Sequence, residues 1–245
     1  MDRVETRTAI VTGAGKRVGA AIAAALVADG WTVLAHVHHE ADDVPEGAAK
    51  VVADLAQADC ARRIFVAADG MPPVRLLVNN AARFAWDGFG DFSGQEFDAH
   101  MAVNVKAATL LIQELASRHR DGDALAVNLL DSKLSAPNPD FLSYTLSKAA
   151  LAALTELAAR ALARRSIRVN GIAPGLMLQS SGQSEENFEA MHINNPLRRG
   201  VEADDVIGAL RYLIGATAVT GQVITIDSGQ RFIGLERDVQ FLGRR

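Results

Sequence analysis

Residues 8–19 read TAIVTGAGKRVG, a short branched strand that runs directly into a glycine-rich turn. The apolar run Ala20–Asp29 then has the composition of a helix, and Gly30 marks its end. In a βαβ unit, such a turn lets the backbone approach a pyrophosphate, and the helix behind it supplies free N–H groups. The stretch therefore predicts a dinucleotide-binding site, although the same residues could also form a tight strand–helix turn that holds no ligand.

On the C-terminal side of this stretch, short branched runs alternate with longer helical segments. Further strands are predicted at Trp31–Val37, Lys50–Ala53, Leu76–Asn79, Asp123–Leu130, Ile167–Ile172 and Gln222–Asp227. Long helices are predicted at Gln95–Arg118 and Tyr144–Arg165. Strands separated by helices indicate an α/β fold with a doubly wound parallel sheet and helices on both faces. Because no repeat or linker divides the sequence, we expect residues 1–245 to form a single Rossmann-type domain.

Composition excludes several classes of protein. With 49% hydrophobic and 22% charged residues over 245 positions, the chain can bury a large core and is not disordered. The single cysteine, Cys60, rules out an internal disulfide framework. A net charge of −4 does not favour nucleic acid or an anionic membrane as partner. The apolar run Ala20–Ala28 is too short to span a bilayer, and the N-terminus is unlike a signal peptide, so we expect a cytoplasmic protein.

Two segments stand outside the alternation of strands and helices. Residues 176–199 are long and polar and follow Pro174-Gly175 at a strand end. They predict either a lid over a site or a disordered loop, and their position favours the lid. The tail around residues 230–245 mixes apolar and charged side chains, which leads to the hypothesis that Phe232–Arg245 packs across a subunit contact.

The end of the second strand discriminates between two dinucleotides. An acidic residue there is typical of NAD sites, whereas NADP sites avoid this charge and supply cations. This chain reads His36-Val37-His38-His39-Glu40, and Lys16 and Arg17 stand in the glycine-rich turn. The pattern favours NADP(H). The histidines could instead form a metal cluster or a solvated loop, but partner ligands are not evident and we predict no metal site.

Tyr144 and Lys148 are four residues apart, so on a helix they share one face. An ammonium beside a phenol stabilises the phenolate and would lower the pKa of Tyr144 towards the range of an acid–base catalyst. Such a pair alone is more often a simple surface pair.

Five motifs together resemble the short-chain dehydrogenase/reductase family, in the family's order and spacing, from Thr8 to about Gly229. They are Thr12–Gly19, Asn79-Asn80-Ala81, Asn104, Tyr144–Lys148 and Asn170–Gly175. The resemblance implies about seven parallel strands, an NAD(P)(H) cofactor and a homotetramer. It also implies that Tyr144 is the proton donor and that Lys148 holds the nicotinamide ribose and tunes Tyr144. Asn104 would hold a water in the proton relay.

The resemblance also implies a set of residues around the cofactor. Asp54 and Leu55 would lie by the adenine, and Pro174 with Gly175 by the nicotinamide. The whole set is Gly13, Lys16, Arg17, Val18, Gly19, His36, His38, His39, Asp54, Leu55, Asn80, Ala81, Tyr144, Lys148, Pro174, Gly175 and Leu176.

Two departures from the common family pattern point to a subgroup. Arg17 stands where a glycine is usual, and Asp131 replaces the serine found thirteen residues before the tyrosine. Both features resemble the pteridine reductases and the similar dihydromonapterin reductases. That resemblance implies that Phe84 stacks the pterin, that Arg17 contacts cofactor phosphate and substrate, and that Asp131 pairs with Tyr144.

Other interpretations of these residues remain open. Asp131 could cap the next turn while Ser132 supplies the usual hydroxyl, and Phe84 could be a loop aromatic packed on the core. His39 and Glu40 follow where the subgroup often has an arginine, and Arg83 stands where small polar residues are common.

We therefore predict an NADPH-dependent reductase of a C=N bond in a dihydropterin, of the dihydromonapterin or dihydrofolate type. The alternatives are a generic carbonyl or hydroxy-compound reductase and, more remotely, a non-catalytic NADP-binding sensor.

Overall fold

A seven-stranded parallel sheet forms the centre of the protein in the computed structural model, which describes residues 6–180 and 182–242. The strands are β1 Thr8–Thr12, β2 Thr32–Val37, β3 Ala48–Val52, β4 Val74–Asn79, β5 Ala124–Leu129, β6 Ile167–Pro174 and β7 Val223–Ile226. Their order across the sheet is β3-β2-β1-β4-β5-β6-β7. Every residue of β1, β5 and β6 is buried, as expected for strands covered by helices on both faces.

Seven α-helices accompany these strands in the part of the chain that the structure describes. They are α1 Arg17–Ala28, α2 Cys60–Ala67, α3 Gly94–Met101, α4 Ala107–Arg118, α5 Leu142–Leu162, α6 Glu185–His192 and α7 Ala203–Gly215. A π-helical turn, Ala102–Lys106, joins α3 to α4. Side chains of α1 and α7 pack on one face of the sheet, and those of α2, α4 and α5 on the other.

The strand order reverses direction between β1 and β4. From β1 the chain moves outward to β2 and β3, and it then returns to β4 on the other side of β1. Loops at the carboxyl ends of β1 and β4 therefore diverge and leave a crevice. In open α/β sheets this is the place where ligands bind.

The structure confirms the predicted parallel α/β fold and all seven strands, with ends that shift by a few residues. The predicted helix Gln95–Arg118 is one continuous run of α3, the π-helical turn and α4. Three helices, α2, α6 and α7, were not predicted, and α6 is described below. Of the other two, α2 has only eight residues, and α7 is marked by a capping box between Glu202 and Asp205.

The polar segment 176–199 contains α6, so it is not the disordered loop that was one of its two sequence interpretations. Ser184 caps this helix by accepting a hydrogen bond from the Asn187 backbone N–H. None of the residues of α6 is buried, so the segment lacks the apolar period by which helices are found. Its function as a lid stays a prediction, and Ser181 lies outside the described residues.

Residues 1–5 and 243–245 also lie outside the described part of the chain, together with the expectations that fall on them. Within residues 6–180 and 182–242, none of the helices is both long enough and apolar enough to cross a lipid bilayer.

Candidate active site

A cavity of about 950 Å³ opens at the carboxyl ends of the central strands. It begins at the glycine-rich turn after β1, passes the ends of β2 and β4, and reaches the loops after β5 and β6. All the cofactor and substrate residues predicted from the sequence line it, as do three of the four predicted catalytic residues, Tyr144, Lys148 and Asp131. The fourth, Asn104, is not among its lining residues.

The glycine-rich turn packs too closely for side chains at two positions. Gly13 has φ +66°, and a Cβ there would lie 2.9 Å from the Cα of Ala81. A Cβ on Gly19 would lie 2.1 Å from the carbonyl oxygen of Gly13. Behind the turn, the N-cap residue of α1, Lys16, makes no side-chain capping hydrogen bond in the described structure. The first N–H groups of α1 therefore meet the cavity without a side-chain cap, as an anion site requires.

Arg17 occupies a backbone position that favours glycine. Its φ is +55°, in the left-handed region that a branched or bulky side chain seldom adopts. This explains why a glycine is common at this position. An arginine here carries the conformational strain of a left-handed backbone. Its guanidinium donates a hydrogen bond to the carbonyl oxygen of Gln179, at 3.3 Å, and so connects the glycine-rich turn to segment 176–199.

His36 supports the turn rather than serving as a cation. Its Nδ1 accepts a hydrogen bond from the Gly13 N–H at 3.2 Å, so Nε2 carries the proton that is donated to the Ala53 carbonyl at 3.0 Å. Burial lowers the pKa of His36 and favours this neutral form. The other basic side chains that line this end are Lys16, Arg17 and the exposed pair His38 and His39.

Asp42 is a lining residue of the same end that sequence reasoning missed. It lies five residues beyond the end of β2, and a turn brings it back to the cavity. Its carboxylate accepts a hydrogen bond from the His39 backbone N–H at 3.0 Å.

The loop after β5 places Asp131 against Tyr144. The Tyr144 hydroxyl donates to Oδ2 of Asp131 at 2.9 Å, while Oδ1 accepts from the Lys133 backbone N–H at 2.8 Å. Asp131 therefore caps the turn Ser132–Leu134 and pairs with the tyrosine at the same time. The structure thus combines the contact with Tyr144 and the capping of the turn, one for each oxygen of Asp131. The alternative in which Ser132 supplies the usual hydroxyl stays untested.

The expected effect of Lys148 on Tyr144 is wrong for this structure. Burial, and then the negative charge of Asp131, raise the pKa of Tyr144 well above its ordinary value. Burial also raises the pKa of Asp131. Lys148 directs its Nζ to the Leu129 carbonyl at 2.6 Å, and burial lowers the pKa of this ammonium to about 8. Tyr144 is therefore a neutral hydroxyl, and its nearest charged partner is a carboxylate.

Phe84 both packs against its own chain and faces the cavity. Its ring stacks on Phe141 at 4.4 Å between centroids and meets Tyr144 edge-on at 4.7 Å. It nevertheless remains 46% exposed and lines the cavity. Both sequence interpretations of its packing therefore apply to this ring, and its stacking on a substrate stays a prediction.

Asn104 does not direct its side chain to the cavity. Its Oδ1 accepts from the Arg83 N–H at 2.7 Å, and its Nδ2 donates to the Arg83 carbonyl and to Ser147 Oγ. The amide therefore fixes the backbone next to Phe84, because the π-helical turn points it at this loop. Its predicted function in a water relay stays a prediction.

The tail was expected to pack across a subunit contact, which a single chain does not test, and much of its described part packs on its own chain. Leu235, Asp238 and Val239 line the cavity, and Phe241 contacts the rings of Phe141 and Trp86. The mixture of apolar and charged residues correctly indicated that the tail packs against a protein surface, but it did not show which surface. Phe232 and Ile233 are the large apolar side chains of the described tail that are exposed, and the subunit contact stays a prediction.

The loop that carries Phe84 is attached to the N-terminus of α5 through Asp87. This buried carboxylate accepts hydrogen bonds from the Ser143 backbone N–H, at 2.9 Å, and from the Ser143 hydroxyl. Phe141, the N-cap residue of α5, makes no side-chain capping hydrogen bond within the described structure. Asp87 thus caps from a distance the helix that carries Tyr144 and Lys148.

We expect Asp87→Ala to lower the free energy of unfolding by about 1–2 kcal/mol, the usual cost of losing a helix cap. Urea denaturation would measure it. Asp91→Ala is the matched control, because this carboxylate lies in the same loop but is exposed and bonds only the Gly88 N–H among the described contacts. Equal losses in the two variants would contradict the capping function of Asp87.

The comparisons with known proteins agree with this geometry. A family model described as Enoyl-(Acyl carrier protein) reductase matches residues 13–231, most of the chain. The chain belongs to the short-chain dehydrogenase/reductase family. It is an oxidoreductase, and the motifs that suggested the family all lie at the crevice of the sheet or beside it.

The chain is also similar to individual proteins of the family. Pteridine reductase 1 of Leishmania tarentolae is 32% identical, over 90% of this chain and 95% of that protein. L-xylulose reductase of Bos taurus is 30% identical, over 93% and 97%. The crystal structure of FolM Alternative dihydrofolate reductase 1 from Brucella suis in complex with NADP superposes with a TM-score of 0.87. It shares 36% identity and covers 94% of this chain and 97% of that one.

In residues 6–180 and 182–242, no group of three or more His, Cys, Asp and Glu side chains is placed to hold a metal ion.

Proposed function

We propose that this oxidoreductase uses NADPH to reduce a C=N bond of a dihydropterin. The observation that carries the proposal is the hydrogen bond between Tyr144 and Asp131 beside the Phe84 ring, within one cavity. An ordinary carbonyl reductase of this family would place a neutral hydroxyl donor at residue 131. Whenever it is ionised, a carboxylate there repels the charge that develops on a carbonyl oxygen.

The cavity fits the proposed cofactor. The glycines after β1 leave a cradle that a side chain would fill, and the uncapped N-terminus of α1 suits a pyrophosphate. Lys16 and Arg17 would hold a 2′-phosphate, and Lys148 would hold the nicotinamide ribose. When bound, NADPH supplies the hydride. The FolM structure from Brucella suis, which contains NADP, supports this choice.

The chain's own residues govern the proton. The Tyr144 hydroxyl has one hydrogen, and beside an ionised Asp131 that hydrogen is directed to the carboxylate. Once Asp131 is protonated, its O–H can donate to the tyrosine oxygen and leave the Tyr144 hydrogen free for a substrate nitrogen. Burial favours the protonated form by raising the pKa of Asp131.

Phe84 and Arg17 would orient the substrate. A pterin is flat, so it suits an aromatic ring that is already held by Phe141 and Tyr144. The Arg17 guanidinium lines the same cavity and can meet the polar edge of the pterin or the adjacent phosphate.

A generic carbonyl reductase is the second candidate. Ser132 also lines the cavity, next to Asp131, and the similarity to L-xylulose reductase extends over nearly the whole chain. The discriminating experiment is NADPH oxidation with dihydromonapterin, dihydrobiopterin, dihydrofolate and simple ketones. Turnover of ketones together with inactivity towards every pterin would overturn the proposal.

The cofactor preference gives a separate prediction. We expect NADPH to be preferred over NADH by well over tenfold in kcat/KM, because one charge-assisted phosphate contact contributes roughly 1.5–3 kcal/mol. Lys16→Ala should narrow this preference by about tenfold or more on the same basis, mainly through the KM for NADPH. Arg63→Ala is the control, because it removes one positive charge from an exposed position on α2 that does not line the cavity. Comparable kcat/KM for NADH in the wild type would contradict the preference.

The homotetramer, the cytoplasmic location and the closing of segment 176–199 over the substrate remain proposals. They rest on the resemblance to the family and on the polar sequence after β6.

A further inference from the structure

Residues 235–242, here called the tail wall, form one side of the substrate end of the cavity. Leu235, Asp238 and Val239 line it from the tail wall. Lys133 and Asn138 line it from the loop after β5. The C-terminal segment therefore contributes to the site itself.

An ion pair between the exposed Arg237 and the buried Asp140 holds the tail wall in place. The Arg237 guanidinium donates two hydrogen bonds to the Asp140 carboxylate, from Nε at 2.8 Å and from Nη2 at 2.9 Å. The Asp238 backbone N–H donates to the same carboxylate at 2.7 Å. Asp140 is only 5% exposed, so these contacts fix the backbone that presents the Asp238 side chain.

The end of the tail wall is attached to two other elements. Phe241 stacks on Phe141 at 6.2 Å and lies edge-on to Trp86 at 6.4 Å. The Leu242 carbonyl accepts a hydrogen bond from Asn187 Nδ2 on α6, at 2.6 Å. The tail wall thus bridges the Phe84 loop, the start of α5 and segment 176–199.

Asp238 presents a carboxylate to the cavity. One oxygen lies 3.2 Å from the Lys133 Nζ, and the other accepts the Gln240 N–H at 3.1 Å. The Asp238 side chain is 18% exposed and that of Lys133 only 9%, so the carboxylate is the more accessible member of the pair. Each carboxylate oxygen can still accept a further hydrogen bond.

Two of the cations that line the cavity, Arg83 and Arg231, are already paired with carboxylates. Arg83 donates two hydrogen bonds to Glu96, and Arg231 lies 2.7 Å from Asp227. An anionic substituent at the tail wall would meet the Asp238 carboxylate and two cations whose charges are compensated, whereas Arg17 lies at the glycine-rich turn and bonds the Gln179 carbonyl. A hydroxyl or amino substituent would find an acceptor.

We propose that Asp238 is a specificity-determining residue, which selects substrates with a neutral, hydrogen-bond-donating substituent over substrates with a carboxylate-bearing one. The proposal rests on the proposed function for the ring that is reduced, and it adds the part of the substrate that the tail wall contacts. The Asp238 carboxylate repels a carboxylate on the substrate, and this repulsion weakens binding of the anionic substrate relative to the neutral one.

The test compares kcat/KM for 7,8-dihydrobiopterin, which has a neutral dihydroxypropyl group, with kcat/KM for dihydrofolate, which has an anionic glutamate. In Asp238→Asn the neutral-to-anionic ratio should fall by on the order of tenfold, because the repulsion is lost and Lys133 is left without its carboxylate. Glu236→Gln is the matched control, since it removes one charge from an exposed residue of the same segment. A ratio that is unchanged in Asp238→Asn, or that falls equally in Glu236→Gln, overturns the proposal.

Loss of the tail wall's position could imitate loss of the charge, so a second readout is needed. Trp31 and Trp86 are the two tryptophans of the chain, and in a Trp31→Phe background the fluorescence of Trp86 reports the contact with Phe241. Arg237→Gln releases the Asp140 anchor but keeps the Asp238 carboxylate. If Asp238→Asn shifts the fluorescence, the neutral-to-anionic ratio of kcat/KM must fall further in Asp238→Asn than in Arg237→Gln. Equal falls of this ratio in the two variants would overturn the proposal.

Failure of the proposed function can be told apart from failure of this inference. If the wild type reduces none of the pterins, the same ratio is measured with 4-hydroxymethylbenzaldehyde and 4-carboxybenzaldehyde. A fall of that ratio in Asp238→Asn supports the specificity function of Asp238 on a carbonyl substrate, and an unchanged ratio overturns it.

Discussion

Replacement of Tyr144 by phenylalanine should lower kcat by on the order of 10²–10⁴-fold, the range for a positioned acid or base. The variant keeps the ring that contacts Phe84 and removes only the hydroxyl that lies 2.9 Å from Asp131. We expect the KM for NADPH to change little, because Lys148 remains in place on the same face of α5. Steady-state kinetics with the best substrate of the panel would measure both parameters.

Tyr212→Phe is the matched control, because Tyr144 and Tyr212 are the two tyrosines of the chain. Tyr212 lies on α7 and is 58% exposed, away from the cavity. This variant should retain the kcat of the wild type. A Tyr144→Phe enzyme that keeps more than about a tenth of the wild-type kcat would show that another group supplies the proton, since acid–base catalysis contributes at least about a hundredfold.

Much of the fold could be predicted because the sheet is parallel and buried. Strands such as β1 and β5 bury every residue, so their sequences are short, branched and easily found between helices. Helix α6 escaped prediction because its stability does not come from an apolar face; none of its residues is buried. Its order comes from the Ser184 cap and from the contact of Asn187 with the tail wall, which sequence periodicity does not record.

The candidate site was predictable where a motif determines both residue type and position. Gly13, Tyr144 and Lys148 all line the cavity as the motifs imply. The interactions between these groups were less predictable, because they depend on burial. An ammonium near a phenol lowers the pKa of the phenol in general, yet Asp131 lies closer and desolvation acts on the whole group, so the pKa of Tyr144 rises.

Residues far apart in the sequence were the hardest to place. Asp238 reaches the cavity through the contact of Arg237 with Asp140, two residues that are 97 positions apart, and it bears no motif that would assign it to the site. Asn104 shows the opposite case. It matches a motif, but the π-helical turn directs its amide to the Arg83 backbone instead of the cavity.

Asp131 distinguishes the two candidate functions, because its charge state decides where the Tyr144 hydrogen points. In the wild type, kcat for pterin reduction should fall as the pH rises through the raised pKa of Asp131, since ionisation draws the hydrogen back to the carboxylate. Asp131→Ser cannot ionise and restores the hydroxyl typical of carbonyl reductases. It should lower pterin kcat by on the order of 10²-fold and abolish this pH dependence, while weak ketone activity survives or rises.

Ionisation of Asp131 should also change the free energy of unfolding with pH, which gives a measurement independent of turnover. A carboxyl whose pKa is raised in the folded state stabilises the fold at low pH, and this contribution is lost as the pH rises through the folded-state pKa. Asp131→Asn, which cannot ionise, should therefore gain stability relative to the wild type as the pH increases from 4 to 8, roughly the range above the ordinary pKa of an aspartate. Urea denaturation across this range would measure the difference, with Asp98→Asn on the exposed face of α3 as control. If the wild type and Asp131→Asn keep a constant difference in unfolding free energy, and Asp131→Ser keeps its pterin turnover, Asp131 does not hold the proton and the generic reductase is the better assignment.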